Sequence, residues 1–269
     1  MSQKGKEIAM RETRLEEMQE YIYANKTVAI ESLCETFQVS RNTVHRDLDQ
    51  LVKRGVIRKI YGGVVAEQTS DTVPFEDRAI KNIEAKRRIA QRAVELLEPD
   101  DVIYVDTGST ASCFFHLLPK NYNLTIFTNN IELLCYCAQE EGFSVIFTGG
   151  KLSRKTCSVV GEDAVELLSR YNISKAFLSA AGVSPEHGFS NSTYGEYQVK
   201  RAAIAASRQV YMMLDSSKFG AVSMKTFCGF EDVDVLITDC HPADSYMKKV
   251  DENSIRLIVA ENKRKNTDK

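Results

Sequence analysis

The sequence lacks a membrane span. No run of about 18 uncharged apolar residues occurs in it, and the opening MSQKGKEIAM has none of the apolar core that a secretory leader needs. A soluble, cytoplasmic protein is therefore expected. It also lacks any C-x-x-C pair and any spaced pair of histidines. The seven cysteines are scattered singly apart from Cys135 and Cys137, so reduced and mostly buried thiols are expected rather than a disulfide framework or a structural metal. Neither a Walker A sequence nor G-x-G-x-x-G is present, so nucleotide binding has no support and no cofactor is implied. Nor is the chain coated with charge of one sign, since its net charge is -2. Any basic character that matters must be local.

What is present suits a folded protein. Hydrophobic residues make up 43% and charged residues 27%, enough for a packed core, and 269 residues allow two domains or one large one. The local basic stretch runs from Val39 to Lys59, with Arg41, Arg46, Lys53, Arg54, Arg58 and Lys59 set against Asp47 and Asp49. Leu15, Met18, Tyr21 and Ile22 recur at helical spacing between Arg11 and Ala24. A shorter helix is predicted over Ile30 to Phe37. Ser40 can N-cap a third, whose apolar stripe is Val44, Leu48, Leu51 and Val52 and whose stop is Gly55. Two β-prone runs follow, Val56 to Tyr61 and Val64 to Ala66, joined by Gly62 and Gly63 in a tight turn with positive φ. Three helices and a hairpin outline a winged helix-turn-helix over residues 11–66.

Residues 67–80 read as a linker, with Pro74 inside it. Over residues 81–260 helical and β-rich patterns alternate. Helices are predicted over Glu84 to Leu97, Ala111 to Leu118, Ile131 to Glu140 and Tyr194 to Ser207. Strands are predicted over Val102 to Val105, Leu124 to Phe127, Val145 to Phe147, Ala176 to Ser179, Val210 to Leu214, Val235 to Ile237 and Ile255 to Val259. Such alternation implies an α/β domain with a mostly parallel sheet covered on both faces. Residues 261–269 are polar and basic, and a disordered tail is expected there.

Open α/β sheets bind ligands at the carboxyl ends of their strands. Here those ends gather small and polar residues: Asp106-Thr107-Gly108-Ser109-Thr110, Thr128-Asn129-Asn130, Thr148-Gly149-Gly150-Lys151, Ala181-Gly182 and Asp215 to Gly220. Any one loop could be a plain βα turn. Five at one rim point to a small anionic ligand, with glycine N–H groups and helix N-termini to receive it. Glu196 and Lys200 stand four apart on one helix. They read either as an exposed ion pair or as a rim in which Glu196 accepts from sugar hydroxyls.

The chain resembles the DeoR family of bacterial transcription regulators from about Arg11 to about Val259. In the N-terminal part the resemblance rests on Phe37-x-Val39-Ser40-x-x-Thr43-Val44-x-Arg46-Asp47-Leu48, then Leu51, Gly55 and the Gly62-Gly63 turn. Further on it rests on Pro74-Phe75-x-x-Arg78, Lys86-x-x-Ile89-Ala90, Asp106-x-Gly108-Ser109-Thr110, Thr128-Asn129 and Gly149-Gly150. Ser158-x-x-Gly161, Glu196-x-x-Val199-Lys200 and Asp215-x-Ser217-Lys218-x-Gly220 complete it. The resemblance implies a winged helix-turn-helix joined to a sensor domain similar to the sugar-phosphate isomerase and CoA-transferase fold, and a phosphorylated sugar as effector.

On that resemblance the effector candidates are Asp106, Gly108, Ser109, Thr110, Thr128, Asn129, Gly149, Gly150, Glu196, Lys200, Asp215 and Lys218, with Lys218 the expected charge partner of a phosphate. If Val44, Leu48 and Leu51 seat the third helix, then Arg41, Asn42, His45 and Arg46 face a major groove and Arg58 and Lys59 lie near the DNA backbone. Ser40 and Thr43 at the start of that helix complete the DNA-binding candidates. Family members usually carry Arg in place of His45 and His in place of Tyr61, so the operator sequence does not transfer from relatives. The expected partners are double-stranded operator DNA, a sugar phosphate and further copies of the chain, as a dimer or tetramer, with no membrane. A repressor of sugar-metabolism genes is the leading expectation. The alternative is an active isomerase with a DNA-binding appendage, using Asp106, Glu196 or Asp215 as general base.

Overall fold

A computed structural model describes residues 14–53 apart from 16, 20, 23 and 24, then residues 57–66 and 80–261. The expected Gly55 helix stop, residues 67–79 of the expected 67–80 linker, the Pro74-Phe75-x-x-Arg78 motif and the tail after Glu261 lie outside the described residues. The chain divides into two compact units, one N-terminal and one built on the α/β residues.

In the N-terminal unit the described positions from 14 to 22 are helical. Leu15, Met18 and Ile22 are fully buried there against Leu33, Val44, Leu48 and Leu51. Tyr21 is only half-buried and meets Phe37 edge-on, with ring centroids 5.8 Å apart. Helix Ile30–Phe37 ends where Gln38 turns left-handed at φ 50° and its N–H reaches the Cys34 carbonyl. Helix Arg41–Lys53 follows. Ser40 caps it as expected, its hydroxyl accepting from the Thr43 N–H at 3.2 Å. Val52 departs from the expected stripe and is 37% exposed, because only Val44, Leu48 and Leu51 lie along the seam with the other helices.

One strand was not anticipated: β1 (Thr27–Ala29) pairs with the wing. With β2 (Ile57–Ile60) and β3 (Gly63–Ala66) it forms an antiparallel sheet in the order β1-β3-β2. Two glycines expected to share one role therefore divide it. Gly62 alone takes positive φ, at 76°. Gly63 is needed for space, since a Cβ there would stand 2.4 Å from the Val28 carbonyl oxygen of β1.

The second unit is built on a seven-stranded sheet: β4 (Val102–Val105), β5 (Leu124–Thr128), β6 (Phe143–Phe147), β9 (Ile173–Leu178), β12 (Ser207–Leu214), β14 (Val235–Thr238) and β15 (Arg256–Val259). Their order is β15-β14-β12-β9-β4-β5-β6, and each neighbouring pair is parallel. Helices Ile83–Val94, Ser109–Phe115 and Ile131–Cys137 supply the core of one face. Helices Glu162–Ser169, Tyr194–Ala206 and Asp244–Glu252 supply the other. The first and last of that second set were not predicted, nor were two small sheets. These are β7 (Lys151–Ser153) with β8 (Ser158–Val160), and β10 (Gly182–Ser184) with β11 (Gly188–Asn191) and β13 (Lys225–Cys228). Strands of three or four residues carry too little alternation to stand out in a sequence.

The sheet starts in its middle. From β4 the chain builds outward to β5 and β6, then returns to the other side of β4 with β9 and continues to β15. The order reverses between β4 and β9, and a sheet of this kind opens a crevice at that place, outside the strands' carboxyl ends.

Candidate functional site

The residues at that reversal are tightly bonded. Asp106 follows β4 and is 1% exposed. Its Oδ2 accepts from the Ser179 N–H at 2.9 Å, from the Ser179 hydroxyl at 2.8 Å and from Lys200 Nζ at 2.5 Å. Lys200 also donates to the Ser179 carbonyl at 2.9 Å, and its Nζ lies 5.2 Å from the centroid of the Phe227 ring. Burial, the largest influence, would raise the Asp106 pKa. The Lys200 charge and the bonds from Lys200, Ser179 and the Thr107 N–H outweigh it and hold the carboxyl below its usual value. Of the two readings of Glu196 and Lys200, the exposed ion pair does not hold for Lys200, which is 4% exposed and spans 94 positions to Asp106. Glu196, in the first turn of the same helix, is 8% exposed.

Gly108 serves close approach. A Cβ there would stand 1.9 Å from Ser179 Oγ, and its φ of -73° is open to any residue. Ser109 and Thr110 form the buried first turn of the helix that follows.

Thr128 and Asn129 are committed to scaffold. The Thr128 hydroxyl donates to the Val105 carbonyl at 2.8 Å and accepts from the Asn130 N–H at 3.0 Å. Asn129 accepts from the Tyr104 hydroxyl at 2.8 Å and donates to the Val159 carbonyl of β8 at 2.9 Å. Burial first, then the charges of Asp106 and Glu196, push the Tyr104 phenol well above its usual pKa, so it stays a donor. Asn130 caps the next helix through the Glu132 and Leu133 N–H groups. Gly149 and Gly150 have positive φ, 70° and 119°, and turn the chain from β6 into the β7–β8 hairpin.

Asp215 does not join Asp106. Along β4 Tyr104 belongs to one core face and Val105 to the other, and along β12 Leu214 belongs with Tyr104 and Met213 with Val105. Alternation therefore turns the two carboxylates to opposite faces of the sheet. Asp215 Oδ1 accepts from Asn82 Nδ2 at 2.8 Å, the Ser217 N–H at 3.1 Å and the Ser217 hydroxyl at 2.5 Å. Burial again raises its pKa most. The Ser217 and Asn82 bonds and the charges of Lys218 and Lys86 outweigh that and lower it. Lys218 is half-buried. Lys86, quoted in the resemblance but not among the pocket candidates, is 2% exposed and bears electrostatically on both Asp215 and Cys113. Ser179 and Asn82 were also missed; only the tertiary pairing of distant segments marks them.

In the N-terminal unit Arg41, Asn42 and Arg46 are exposed on helix Arg41–Lys53, while Thr43 and His45 are half-buried. Thr43 and Ser40 share a hydroxyl–hydroxyl bond of 2.9 Å. Arg41 pairs with Glu31 at 3.1 Å, and Lys59 with Asp49 at 2.5 Å, both in solvent-exposed geometry. Arg58 is exposed on β2. Arg14 was missed: its Nε and Nη2 each lie 2.9 Å from Oδ2 of Asp47, which is 1% exposed on the inner side of helix Arg41–Lys53. No helix among the described residues is long and apolar enough to cross a membrane.

Comparison with known proteins fits both units. The model of the DeoR-like helix-turn-helix domain matches residues 14–70, and that of the DeoR C terminal sensor domain matches residues 81–240. The HTH-type transcriptional regulator IolR of Bacillus subtilis (strain 168) is 36% identical over 251 residues, covering 93% of this chain and 100% of its own. The Glycerol-3-phosphate regulon repressor of Escherichia coli (strain K12) is 31% identical over 230 residues, covering 86% of this chain and 91% of its own. Among solved structures, ribose 5-phosphate isomerase a from Methanocaldococcus jannaschii overlaps 52% of this chain and 55% of its own, at 17% identity and a TM-score of 0.37. That overlap is too partial to bear on activity. With one model over its helix-turn-helix, another over most of its parallel sheet and a regulator matched along nearly its whole length, the chain belongs to the DeoR family of transcriptional regulators.

Proposed function

We propose that the protein is a repressor of sugar-metabolism genes, that helix Arg41–Lys53 reads operator DNA, and that a phosphorylated sugar bound at the carboxyl rim of the sheet sets operator affinity. The observation that carries the first part is the two-sided character of that helix. Val44, Leu48 and Leu51 are wholly buried while Arg41, Asn42 and Arg46 are exposed. Arg and Asn are the side chains that make bidentate contacts to guanine and adenine edges, each contributing roughly 1–3 kcal/mol of discrimination. The Arg41–Glu31 and Lys59–Asp49 pairs are surface pairs of small intrinsic worth, readily exchanged for DNA phosphates. Ser40 and Thr43 act by ordering the start of the helix, and His45, Arg58 and Lys59 add contacts to bases or backbone.

The sugar phosphate is supported by the rim and by the name of one relative, a glycerol-3-phosphate regulon repressor. Ser109, Thr110 and the cation of Lys218 receive the phosphate, with Gly108 letting the backbone come close. Glu196 faces the sugar. The Asp106–Lys200 pair, with Thr128 and Asn129 behind it, holds the rim in shape, and Gly149 and Gly150 set the path of the flanking hairpin. Binding is favoured over turnover because the carboxyls of Asp106 and Asp215 are hydrogen-bonded and held below their usual pKa, which makes both weak proton acceptors. The regulator works in the cytoplasm as a homo-oligomer, whose two-fold symmetry suits palindromic half-sites.

The test is selection of genomic fragments by the purified protein, followed by titration of the best fragment at several salt concentrations with and without sugar phosphates. Selective binding with a negative salt slope, shifted by a sugar phosphate, is expected. Equal weak binding to all fragments would overturn the reading.

A further inference from the structure

Asn191 is the last residue of β11 and is 2% exposed, and neither its Oδ1 nor its Nδ2 has a hydrogen-bond partner among the described residues. Buried side-chain amides are normally paired, because donor and acceptor each lose a water on burial. Other buried polar groups of this unit conform: the Ser190 hydroxyl donates to the Gly182 carbonyl at 3.2 Å, and Ser179, Asp106 and Lys200 bond to one another.

The path of the chain sets Asn191 beside the rim. The Ala181 N–H donates to the Ser190 carbonyl at 2.9 Å, and Ser190 registers opposite Gly182. Asn191 therefore runs alongside the residues that leave Ser179 at the end of β9. Helix Tyr194–Ala206, which carries Glu196 and Lys200, begins just after it. Alternation along β11 puts Asn191 on the same face as Phe189, whose ring belongs to the core on which that helix packs. Asn191 thus shares a face of β11 with a ring of the core toward which Asp106 turns.

We propose that Asn191 is a specificity-determining residue of the effector site, its amide N–H donating to and its carbonyl accepting from hydroxyl groups on the carbon chain of the sugar. The chemistry selects that part of the ligand. An uncharged amide offers both a donor and an acceptor, which is what a hydroxyl requires, whereas a phosphate dianion takes donors only. The inference rests on the sugar-phosphate reading above and names the group that tells one sugar from another. A lone buried water could satisfy the same amide, and the experiment separates the two.

The experiment uses full-length protein, Asn191→Leu and Asn191→Ser, with inorganic phosphate, glycerol 3-phosphate and a set of aldose and ketose phosphates as probes. Tm shifts and release of the selected operator are the readouts. Leu fills the space without polar atoms, so Asn191→Leu should raise the Tm of the ligand-free protein. It should bind the responsive sugar phosphate about tenfold or more weakly, with inorganic phosphate binding unchanged. Asn191→Ser, which keeps a hydroxyl donor and acceptor, should retain part of the response and serves if the Leu variant does not fold. Wild-type affinity for every probe in both variants, or a lowered ligand-free Tm together with an intact response, would overturn the proposal in favour of a structural water. If wild-type protein answers to no sugar phosphate while still selecting its operator, the effector reading fails and this inference with it.

Discussion

Lys200 Nζ lies 2.5 Å from Asp106 Oδ2, and the two side chains are 5% and 2% exposed. This buried pair joins helix Tyr194–Ala206 to the end of β4 at the place where the strand order reverses. Removing one partner strands the other charge in the interior. Lys200→Met or Asp106→Leu should each cost about 3–5 kcal/mol, while the double variant Asp106→Leu/Lys200→Met should cost far less than their sum. Urea denaturation of the four proteins checks this, and additive losses would show that the pair is not coupled.

The pH dependence follows from the same carboxyl and from Asp215. Both are held below their usual pKa in the folded chain, where burial raises each but is outweighed by hydrogen bonds and neighbouring lysines. A depressed folded pKa contributes stability that is fully present above the ordinary carboxylate pKa and is lost as pH falls through the folded value. Tm should therefore hold steady from neutrality to about pH 5 and then fall with further acidification. In Asp215→Asn that fall should be shallower; an unchanged slope would mean that this carboxyl contributes nothing.

Arg14 reaches the buried Asp47 through two nitrogens, each 2.9 Å from one carboxylate oxygen. Arg14→Met should cost the N-terminal unit about 1–3 kcal/mol and loosen the seat of helix Arg41–Lys53. Hydrogen exchange at Val44, Leu48 and Leu51 is the sensitive measure, and faster exchange there is the expected result.

The two wing glycines should respond differently. Gly63→Ala drives a Cβ to 2.4 Å from the Val28 carbonyl oxygen, a backbone atom that cannot swing away. The cost should be about 1–3 kcal/mol, with displacement of β1 from β3. Gly62 has open space around it and only a φ of 76° to satisfy. Asn tolerates that conformation, so Gly62→Asn should be close to neutral. Equal losses in thermal unfolding would contradict this division of roles.

On helix Arg41–Lys53, which the proposal sets against DNA, Arg46→Ala should either relax selectivity at one operator position by roughly 1–3 kcal/mol or reduce the salt slope by about 1. Competition between operator and random DNA separates the two. Asp49 carries negative charge on the same exposed surface and is paired with Lys59. Asp49→Asn should tighten binding to every sequence, with the gain fading as salt rises. A loss of affinity would mean that the pair positions Lys59 instead.

Much of this was determined by the sequence itself. The spacing of Val44, Leu48 and Leu51 announces a helix with one buried side, and all three are fully buried. Each of the seven predicted strand positions holds a strand of the main sheet, because runs such as Val102–Val105 and Val235–Thr238 are apolar and β-branched enough to be read locally. The rim loops were legible too, since turns demand Gly, Ser and Asn.

Which of those residues meet depends on how distant segments pack. No local pattern reveals that Lys200 would leave Glu196 for a carboxylate 94 positions away, or that Asp106 and Asp215 would turn to opposite faces. Nor does it show that Thr128 and Asn129 would be used up in holding β5 to its neighbours, or that Asn191 would be buried with its amide unpaired among the described residues. The reason is physical. Helical and strand periodicity is set by the backbone over a few residues, whereas the pairing of buried polar groups is set by which distant strands lie side by side. A parallel sheet brings its strand ends together only through long crossovers.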